Sequence, residues 1–432
     1  MDPSHNQGIA MQVDDFTTSN ICFKSHIIPH NVIHELLFSY MTPLGFLRLA
    51  RTCRVANDVV RSYIKRTFNV NRLLSRFFQD PVVFRSLQAR TGMIFAGSVA
   101  LQFFDRTYYS GSDLDVYLRS DALVEVTAWL IGEGYVFEPY PKQSTNLQDA
   151  IEKIYALDGE HPLYLMRTIC GVYTFVKPAA SPSIPPLKVQ CIVAKASPMN
   201  VIFSYHSTCV MNIVSFEKAY SLYPRASIVN HRSLVTCMEP SEGQPAALKK
   251  YSDRGFRIET IVGSYDPDFP LGDRYIGDCN CWTLNLDMSG VQTSFAVNEV
   301  STPLTHDPVS ATSWSLEVSP GDPHRLVDLV TDNGLHSEFL FYHYTAASWV
   351  PLYYARLMVE EQTGIDMRLR SEIPTHSRRF YDKEFTDYVI TYYRNHNMRS
   401  KLTEELLHKS LFDSHRPFGS VPRVPAYLRS SV

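Results

Sequence analysis

Two aspartates flank a single leucine in a stretch that is otherwise apolar and aromatic, AGSVALQFFDRTYYSGSDLDVYL at residues 96–118. Residues two apart in a β-strand point to the same face, so Asp113 and Asp115 are predicted to share one face of a strand. Two carboxylates at this separation suit a hard divalent cation such as Mg²⁺, which takes oxygen ligands and keeps waters that a phosphate can replace. The alternative is that Asp113 belongs to a turn in SGSD and that Asp115 keeps a strand edge soluble.

Gly97 and Ser98 stand between an apolar strand-like run and the helix-like VALQFF. Backbone N–H groups at the start of a helix attract phosphate, a glycine there lets a ligand approach closely, and a serine hydroxyl adds a donor. A phosphate cradle followed by a metal-binding carboxylate pair is the layout that a phosphoryl- or nucleotidyl-transfer site needs. Without a ligand, the same two residues would be a plain helix cap.

The periodicity of apolar residues indicates the elements that must position this site. From residue 28 to about residue 78 the pattern is helical, and Thr42 followed by Pro43 suits a helix start. From Met93 onward, short strands and helices are mixed. Within this part, FEKAYSLY at residues 216–223 is predicted to be helical.

The remainder of the chain has a different pattern. Beyond about residue 243 a basic helical piece, AALKKYSDRGFRI, leads to the strand-like runs WTLNLDM, VQTSFAV and SWSLEVS. These runs predict a smaller β-rich appendix. Residues 336–415 are rich in tyrosine, arginine and histidine and are predicted to be helical.

Gly97-Ser98, the helix that follows and Asp113-Leu114-Asp115 resemble the signature of the polymerase-β-type nucleotidyltransferase superfamily. The gap between the two halves of the signature lies at or slightly beyond the family's long end. The resemblance covers residues 90–215, with 243–300 as a possible continuation. It implies a small mixed sheet flanked by helices, two Mg²⁺ ions and a nucleoside triphosphate (NTP) donor.

The resemblance also implies roles for individual residues. Asp113 and Asp115 would be the catalytic and metal-binding carboxylates, and Gly97 and Ser98 would hold the nucleotide's phosphates. A basic spot follows at Lys249, Lys250, Tyr251, Arg254 and Arg257. In the family, a cation after the catalytic core reaches the donor's phosphates and an aromatic ring stacks on the base, which implies Lys249 and Tyr251. The alternative for this spot is a solvated helix face.

A third carboxylate is missing from its expected place. Active members of the superfamily carry it on a later strand, which corresponds here to LKVQCIV at residues 187–193. The polar residue in the equivalent position is Gln190, and an amide supplies no negative charge to balance a second Mg²⁺. The acids that would have to substitute through a different geometry are Glu125, Asp158, Glu160 and Glu217.

The N-terminal helices have a resemblance of their own. IPHNVIHELLFSYMTPLGFLRLARTCRVANDVV resembles an F-box, with Pro29, Leu36, Leu37, Pro43, Leu47 and Leu49 at its apolar positions. This implies that residues 28–66 bind a Skp-type adaptor of an SCF ubiquitin ligase. The tryptophan common after Cys-Arg in that family is absent, and a helical lid on the transferase domain would give the same pattern. The pairing of the two segments is similar to multidomain proteins of filamentous fungi.

Together these observations predict an α+β protein with a nucleotidyltransferase-like mixed sheet, an N-terminal helical segment and a mixed β-rich and helical C-terminal appendix. The predicted units are a disordered tail at 1–25, the F-box-like segment at 26–80, the transferase-like domain at 90–242, the appendix at 243–415 and a loose tail at 416–432.

Composition restricts the function classes. With 432 residues and a net charge of −3, the chain has no overall attraction for nucleic acid or anionic membrane, so binding of either would need a local patch. No apolar run approaches the roughly 20 residues of a membrane span, and no signal peptide precedes the helices. Because the eight cysteines are scattered, reduced thiols and a cytoplasmic or nuclear protein are expected. Two functions remain, a Mg²⁺-dependent nucleotidyltransferase and a degenerate transferase fold that acts as a binding module.

Overall fold

The computed structural model describes residues 27–28, 30–156, 168–179, 185–236, 243–263, 265–297, 300–303, 306–318, 327–331, 340–347 and 380–395. The predicted tails at 1–25 and 416–432, Pro29, and the candidate acids Asp158 and Glu160 lie outside these ranges. Among the described residues, the structure contains no helix that is both long and apolar enough to cross a membrane.

In the part of the chain that the structure describes, five helices precede the first strand. They are α1 (Asn31–Ser39), α2 (Pro43–Ala50), α3 (Arg54–Thr67), α4 (Val70–Leu74) and α5 (Pro81–Thr91). As predicted, Thr42 caps α2: its hydroxyl accepts a hydrogen bond from the Gly45 amide at 3.2 Å, and Pro43 is the first helical residue. This cap fixes where the second helix of the F-box-like segment begins.

The first three helices pack around aromatic side chains that belong to the same core as the helix-covered face of the sheet. The Phe38 and Tyr63 rings meet edge to face with centroids 5.2 Å apart, and the Phe46 ring lies 5.4 Å from that of Tyr63. Arg106 adds a polar link between these helices and α6 (Gly97–Asp105), because its guanidinium donates to the carbonyl oxygens of Phe38 at 3.0 Å and Met41 at 2.7 Å. The segment is therefore attached to the sheet domain through the shared core and through Arg106 near the C-terminal end of α1.

An eight-stranded mixed sheet forms the centre of the protein. Its strands in chain order are β1 (Ile94–Ala96), β2 (Leu114–Arg119), β3 (Val136–Glu138), β4 (Ile169–Lys177), β5 (Leu187–Ala194), β6 (Asn212–Val214), β7 (Lys218–Ser221) and a last strand, Trp282–Asn285. The spatial order places that last strand at one edge, followed by β7, β6, β1, β2, β5, β4 and β3. The β2–β5 pair is parallel, and the other neighbours in this sheet are antiparallel.

Helices and smaller sheets cover the central sheet. The intervening helices are α6 (Gly97–Asp105), α7 (Leu123–Gly132), α8 (Leu147–Ala156), α9 (Pro198–Phe203) and α10 (Gln244–Asp253). The remaining strands are β8 (Arg232–Leu234), β9 (Arg257–Glu259), β10 (Gly272–Tyr275), β11 (Trp282–Asn285, the edge strand above), β12 (Ser294–Val297), β13 (Val300–Pro303), β14 (Ser313–Val318) and β15 (Val327–Val330). A further helical stretch covers 382–395. The protein is thus α+β, with a mixed sheet flanked by helices.

The two faces of the sheet belong to different cores. Leu114, Val116 and Leu118 of β2 face a core that includes side chains of α3, α5, α6, α7 and α8. Tyr117 of the same strand faces the second core, which includes residues of α9, β6, β7 and β14, among them Trp314. Because side chains alternate along a strand, Asp115 lies on the Tyr117 face, away from the core that α7 and the body of α6 cover. Asp113 is the residue immediately before this strand.

Two sequence-based expectations are wrong in detail. FEKAYSLY is not helical, since Lys218–Ser221 forms β7, with Ala219 in one core and Tyr220 in the other. A short apolar run carries too few residues to separate the two periodicities. WTLNLDM does not belong to an appendix either, because β11 pairs with β7 and extends the central sheet. The smaller sheet instead consists of β10, β14 and β15.

Candidate functional site

The turn from β1 into α6 is the starting point of the site. Ala96 is extended, and Gly97 has φ +69°, a conformation that L side chains rarely adopt. A Cβ atom at Gly97 would lie 2.7 Å from Oδ2 of Asp115, so only glycine leaves room for this carboxylate. As the sequence predicts, α6 begins at Gly97, and no side chain caps its first amides. Those N–H groups and the Asp115 carboxylate therefore meet at one place.

Strand register places a row of polar residues across the same face. Asp115 lies opposite Ala96 of β1 on one side and opposite Gln190 of β5 on the other. Gln190 in turn lies opposite Thr174 of β4. The Tyr140 hydroxyl accepts hydrogen bonds from Gln190 Nε2 at 3.2 Å and from Thr174 Oγ1 at 3.1 Å. The position next to Asp115 is thus filled by a neutral, hydrogen-bonded amide.

Asp113 immediately precedes β2 and lies on the Asp115 face. Because Leu114 pairs with Val189 in parallel register, the residue beside Asp113 on β5 is Lys188. Among the residues that the structure describes, no hydrogen-bond donor contacts either carboxylate. The two carboxylates are consequently available to a cation.

Burial raises the pKa of Asp115 to about 7, and the nearby charge of Asp113 acts in the same direction. Burial also raises the pKa of Asp113, although the ammonium groups of Lys188 and Lys250 oppose this shift. Lys250 opposes the shift at Asp115 as well. Two carboxylates close together thus face two lysines, and the ionised form of Asp115 is unfavourable without a cation nearby.

The basic spot on α10 is arranged differently from the expectation. Lys249 forms an ion pair with Asp253 at 2.9 Å on the exposed side of the helix. Its neighbour Lys250 is the lysine whose charge acts on Asp113 and Asp115. Tyr251 is only 4% exposed, with its ring 5.8 Å from that of His206, so little of it is free to stack on a base. Lys250 is the better candidate for a phosphate contact.

The acids considered as substitutes for the third carboxylate lie elsewhere where they are described. Glu125 pairs with Arg90 on the α5–α7 side of the sheet, and Glu217 pairs with Lys218 at 2.7 Å in the β6–β7 turn. No group of three or more histidine, cysteine, aspartate and glutamate side chains in the described part of the chain is arranged to hold a metal. A cation here would have two carboxylate ligands and would share a substrate's phosphates, which is how Mg²⁺ is commonly bound.

The geometry fits a Mg²⁺–phosphate ligand in three respects. The Asp113 and Asp115 carboxylates receive no hydrogen bond from any residue in the described ranges, the start of α6 is uncapped, and Gly97 keeps the space beside Asp115 open. Ser98 belongs to the same turn, although the residue is only 5% exposed.

Sequence reasoning missed two members of the site. Lys188 repeats the spacing of the aspartates, because Lys188 and Gln190 flank one apolar residue as Asp113 and Asp115 do. That alternation is the signal that would have placed Lys188 on the same face. Tyr140 follows the edge strand β3, and no local pattern connects it with Gln190; only the pairing of β3, β4 and β5 does.

Comparisons with known proteins give no relative: no protein-family model, no curated protein and no solved structure matches this chain.

The close approach at Gly97 leads to a first prediction. Gly97→Ala should lower the free energy of unfolding by about 1–3 kcal/mol, because it adds a left-handed alanine and a clash with Asp115. Gly111→Ala is the matched control, since Gly111 has φ +70° but open space around its Cβ position. Urea unfolding measures both, and adding Asp115→Ala to Gly97→Ala should recover the clash component. Equal losses for the two glycines would contradict the close approach.

The raised pKa of Asp115 leads to a second prediction. With a native pKa of about 7 and an ordinary unfolded value, the folded protein holds more protons between about pH 4 and pH 7. The free energy of unfolding should therefore fall as pH rises through this window. Asp115→Asn should remove this dependence and be more stable than the wild type at pH 8 by about 1–3 kcal/mol. Urea midpoints from pH 4 to pH 8 test this, and a difference between the two proteins that does not vary with pH would refute it.

Proposed function

We propose that this protein binds a Mg²⁺–NTP complex on the Asp113–Asp115 face, in a nucleotidyltransferase-like site. The observation that supports this most directly is the close approach of the Asp115 carboxylate to Gly97 at the uncapped start of α6, where an added Cβ would lie 2.7 Å from Oδ2. A phosphate group and a divalent cation each find their preferred partners there, backbone N–H groups for the phosphate and carboxylate oxygens for the metal.

Each residue has a distinct part in this proposal. The first amides of α6 would donate to the phosphates, and Gly97 would let them approach the backbone. Asp113 and Asp115 would hold Mg²⁺, which when bound neutralises phosphate charge and orients the triphosphate. Lys250, on the exposed side of the site, would contact the distal phosphates.

The reaction that such a site supports is nucleotidyl transfer. An acceptor's nucleophilic oxygen forms a bond to the α-phosphorus, the bond between that phosphorus and the bridging oxygen to the β-phosphate breaks, and pyrophosphate leaves. The proton of the acceptor would pass to a water molecule at the open side of the site. Because Gln190 gives no third charge, we expect transfer to be slow in comparison with nucleotide binding.

Thermal unfolding with ligand is the third prediction. Mg²⁺ with an NTP should raise the unfolding temperature, since saturation at about one hundred times Kd adds about 2.7 kcal/mol. Asp113→Asn with Asp115→Asn should lose this gain. The control pair, Asp58→Asn with Asp273→Asn, removes the same charge from exposed positions outside the site and should keep the gain.

Incubation with each labelled NTP and Mg²⁺, with label read on protein and RNA, then tests transfer. Label that depends on the two aspartates supports an enzyme, and a thermal shift without label supports a binding protein. Equal shifts in the wild type and the double mutant would reject the site.

A second candidate function, recruitment of a Skp-type adaptor, is favoured by the surface of the N-terminal segment. Its large apolar side chains are exposed in a contiguous stretch of sequence while its aromatic core is filled by other residues. The exposed fractions are Val32 82%, Ile33 45%, Leu36 62%, Leu37 41%, Tyr40 83%, Leu44 47% and Leu47 55%. An internal lid would bury Leu36 and Leu47 against the sheet domain, and neither is buried. Exposed apolar clusters of this kind mark protein-binding surfaces.

The fourth prediction tests this partner. Leu36→Asp or Leu47→Asp should abolish co-precipitation of a purified Skp-type adaptor, because a charge would be buried in the interface. Val136→Asp is the control, since Val136 is also 62% exposed but lies on β3. Both test variants should unfold at the wild-type temperature. Retained binding by the folded Leu36→Asp and Leu47→Asp proteins would reject the adaptor proposal.

A further inference from the structure

Lys188 is a charged residue of the central sheet to which the proposed function assigns no role. It lies two residues before Gln190 on β5, so both side chains are on the face that carries Asp113 and Asp115. In the parallel β2–β5 pair, Gln190 is opposite Asp115. Two residues earlier on each chain segment, Lys188 is therefore beside Asp113. Neighbouring strands are about 4.8 Å apart, so the ammonium group of Lys188 is within reach of the place where a cation would bind.

The charges of this face balance in number before any metal binds. The two carboxylates, Asp113 and Asp115, face two lysines from different elements, Lys188 of β5 and Lys250 of α10. The remaining position, Gln190, is neutral, and its Nε2 donates a hydrogen bond to the Tyr140 hydroxyl at 3.2 Å, so it adds no charge to the site. A second divalent cation would find no third carboxylate and would be repelled by the nearby ammonium group.

We propose that Lys188 supplies the positive charge that a second metal ion would otherwise bring, so that the site binds a single divalent cation with its nucleotide. This inference rests on the proposed Mg²⁺–NTP site and deepens it. Lys188 is a positioning residue: its ammonium group balances Asp113, which leaves Asp115 as the principal ligand of the cation. The cation then lies at the Gly97 side of the pair, beside the start of α6.

The fifth prediction counts bound ions directly. Mn²⁺ serves as a paramagnetic probe, titrated at low ionic strength with a non-hydrolysable analogue of ATP and, in parallel, of GTP. Free Mn²⁺ is measured by electron paramagnetic resonance. The wild type should bind one Mn²⁺ per chain. Lys188→Gln should bind Mn²⁺ about tenfold more tightly, because a like charge has been removed, and the difference should shrink at high salt.

Two further variants separate charge from structure. Lys195→Gln removes a lysine just after β5, at the opposite end of the strand, and should leave Mn²⁺ affinity unchanged. Gln190→Asp combined with Lys188→Gln should create a second Mn²⁺ site, whereas Gln190→Asp alone should only tighten the first. Thermal unfolding confirms that each variant is folded.

The outcomes distinguish the two proposals. Two Mn²⁺ ions in the wild type, or equal affinities for Lys188→Gln and Lys195→Gln, would overturn the role of Lys188 and leave the proposed function standing. No Mn²⁺ binding by the wild type with either nucleotide would overturn both.

Discussion

The contact between the backbone of Gly97 and the carboxylate of Asp115 is the constraint on which the candidate site depends. It requires a left-handed residue without a side chain at the end of β1, and it requires the antiparallel β1–β2 register that places Ala96 opposite Asp115. The same register sends Leu114 and Val116 into the core on the other face. The apolar face of β2 therefore stabilises the fold, and its burial holds the partly buried Asp115 carboxylate in position on the opposite face. A one-residue slip would exchange the two faces and bury the charge.

The neighbours of Asp115 determine what this arrangement can do. On one side the small side chain of Ala96 leaves the start of α6 open, and on the other Gln190 and Thr174 converge on the Tyr140 hydroxyl. A carboxylate in place of Gln190 would repel Asp115, whereas the amide donates a hydrogen bond to the hydroxyl of Tyr140, which follows β3. The hydrogen-bonded amide stabilises the fold, but it supplies no negative charge at the position where a transferase would need one. This is the physical difference between the enzyme and the binding module considered above.

The sequence contained enough local information to predict the parts of the site that depend on neighbours along the chain. The helix start at Gly97, the shared face of Asp113 and Asp115, and the Thr42-Pro43 cap all follow from steric and hydrogen-bonding rules within a few residues. The strand nature of Lys218–Ser221, the addition of β11 to the central sheet and the choice of Lys250 over Lys249 depend on pairing between distant segments. No local pattern encodes those pairings, because Ala219 and Tyr220 would be equally apolar in a helix.

Arg106 connects the end of α6 to the N-terminal helices, whereas the start of α6 lies at Asp115. It directly follows α6, which begins at Gly97, and its guanidinium donates hydrogen bonds to the carbonyl oxygens of Phe38 and Met41 in the N-terminal helical segment. A nine-residue helix is about 13 Å long, so α6 connects the acidic face at Gly97 with the N-terminal helices, whose exposed apolar side chains include Leu36 and Leu47. A protein bound to these apolar side chains would have a fixed orientation relative to the Asp113–Asp115 face. The distance between the two surfaces would determine which atoms of the bound partner can reach the two carboxylates.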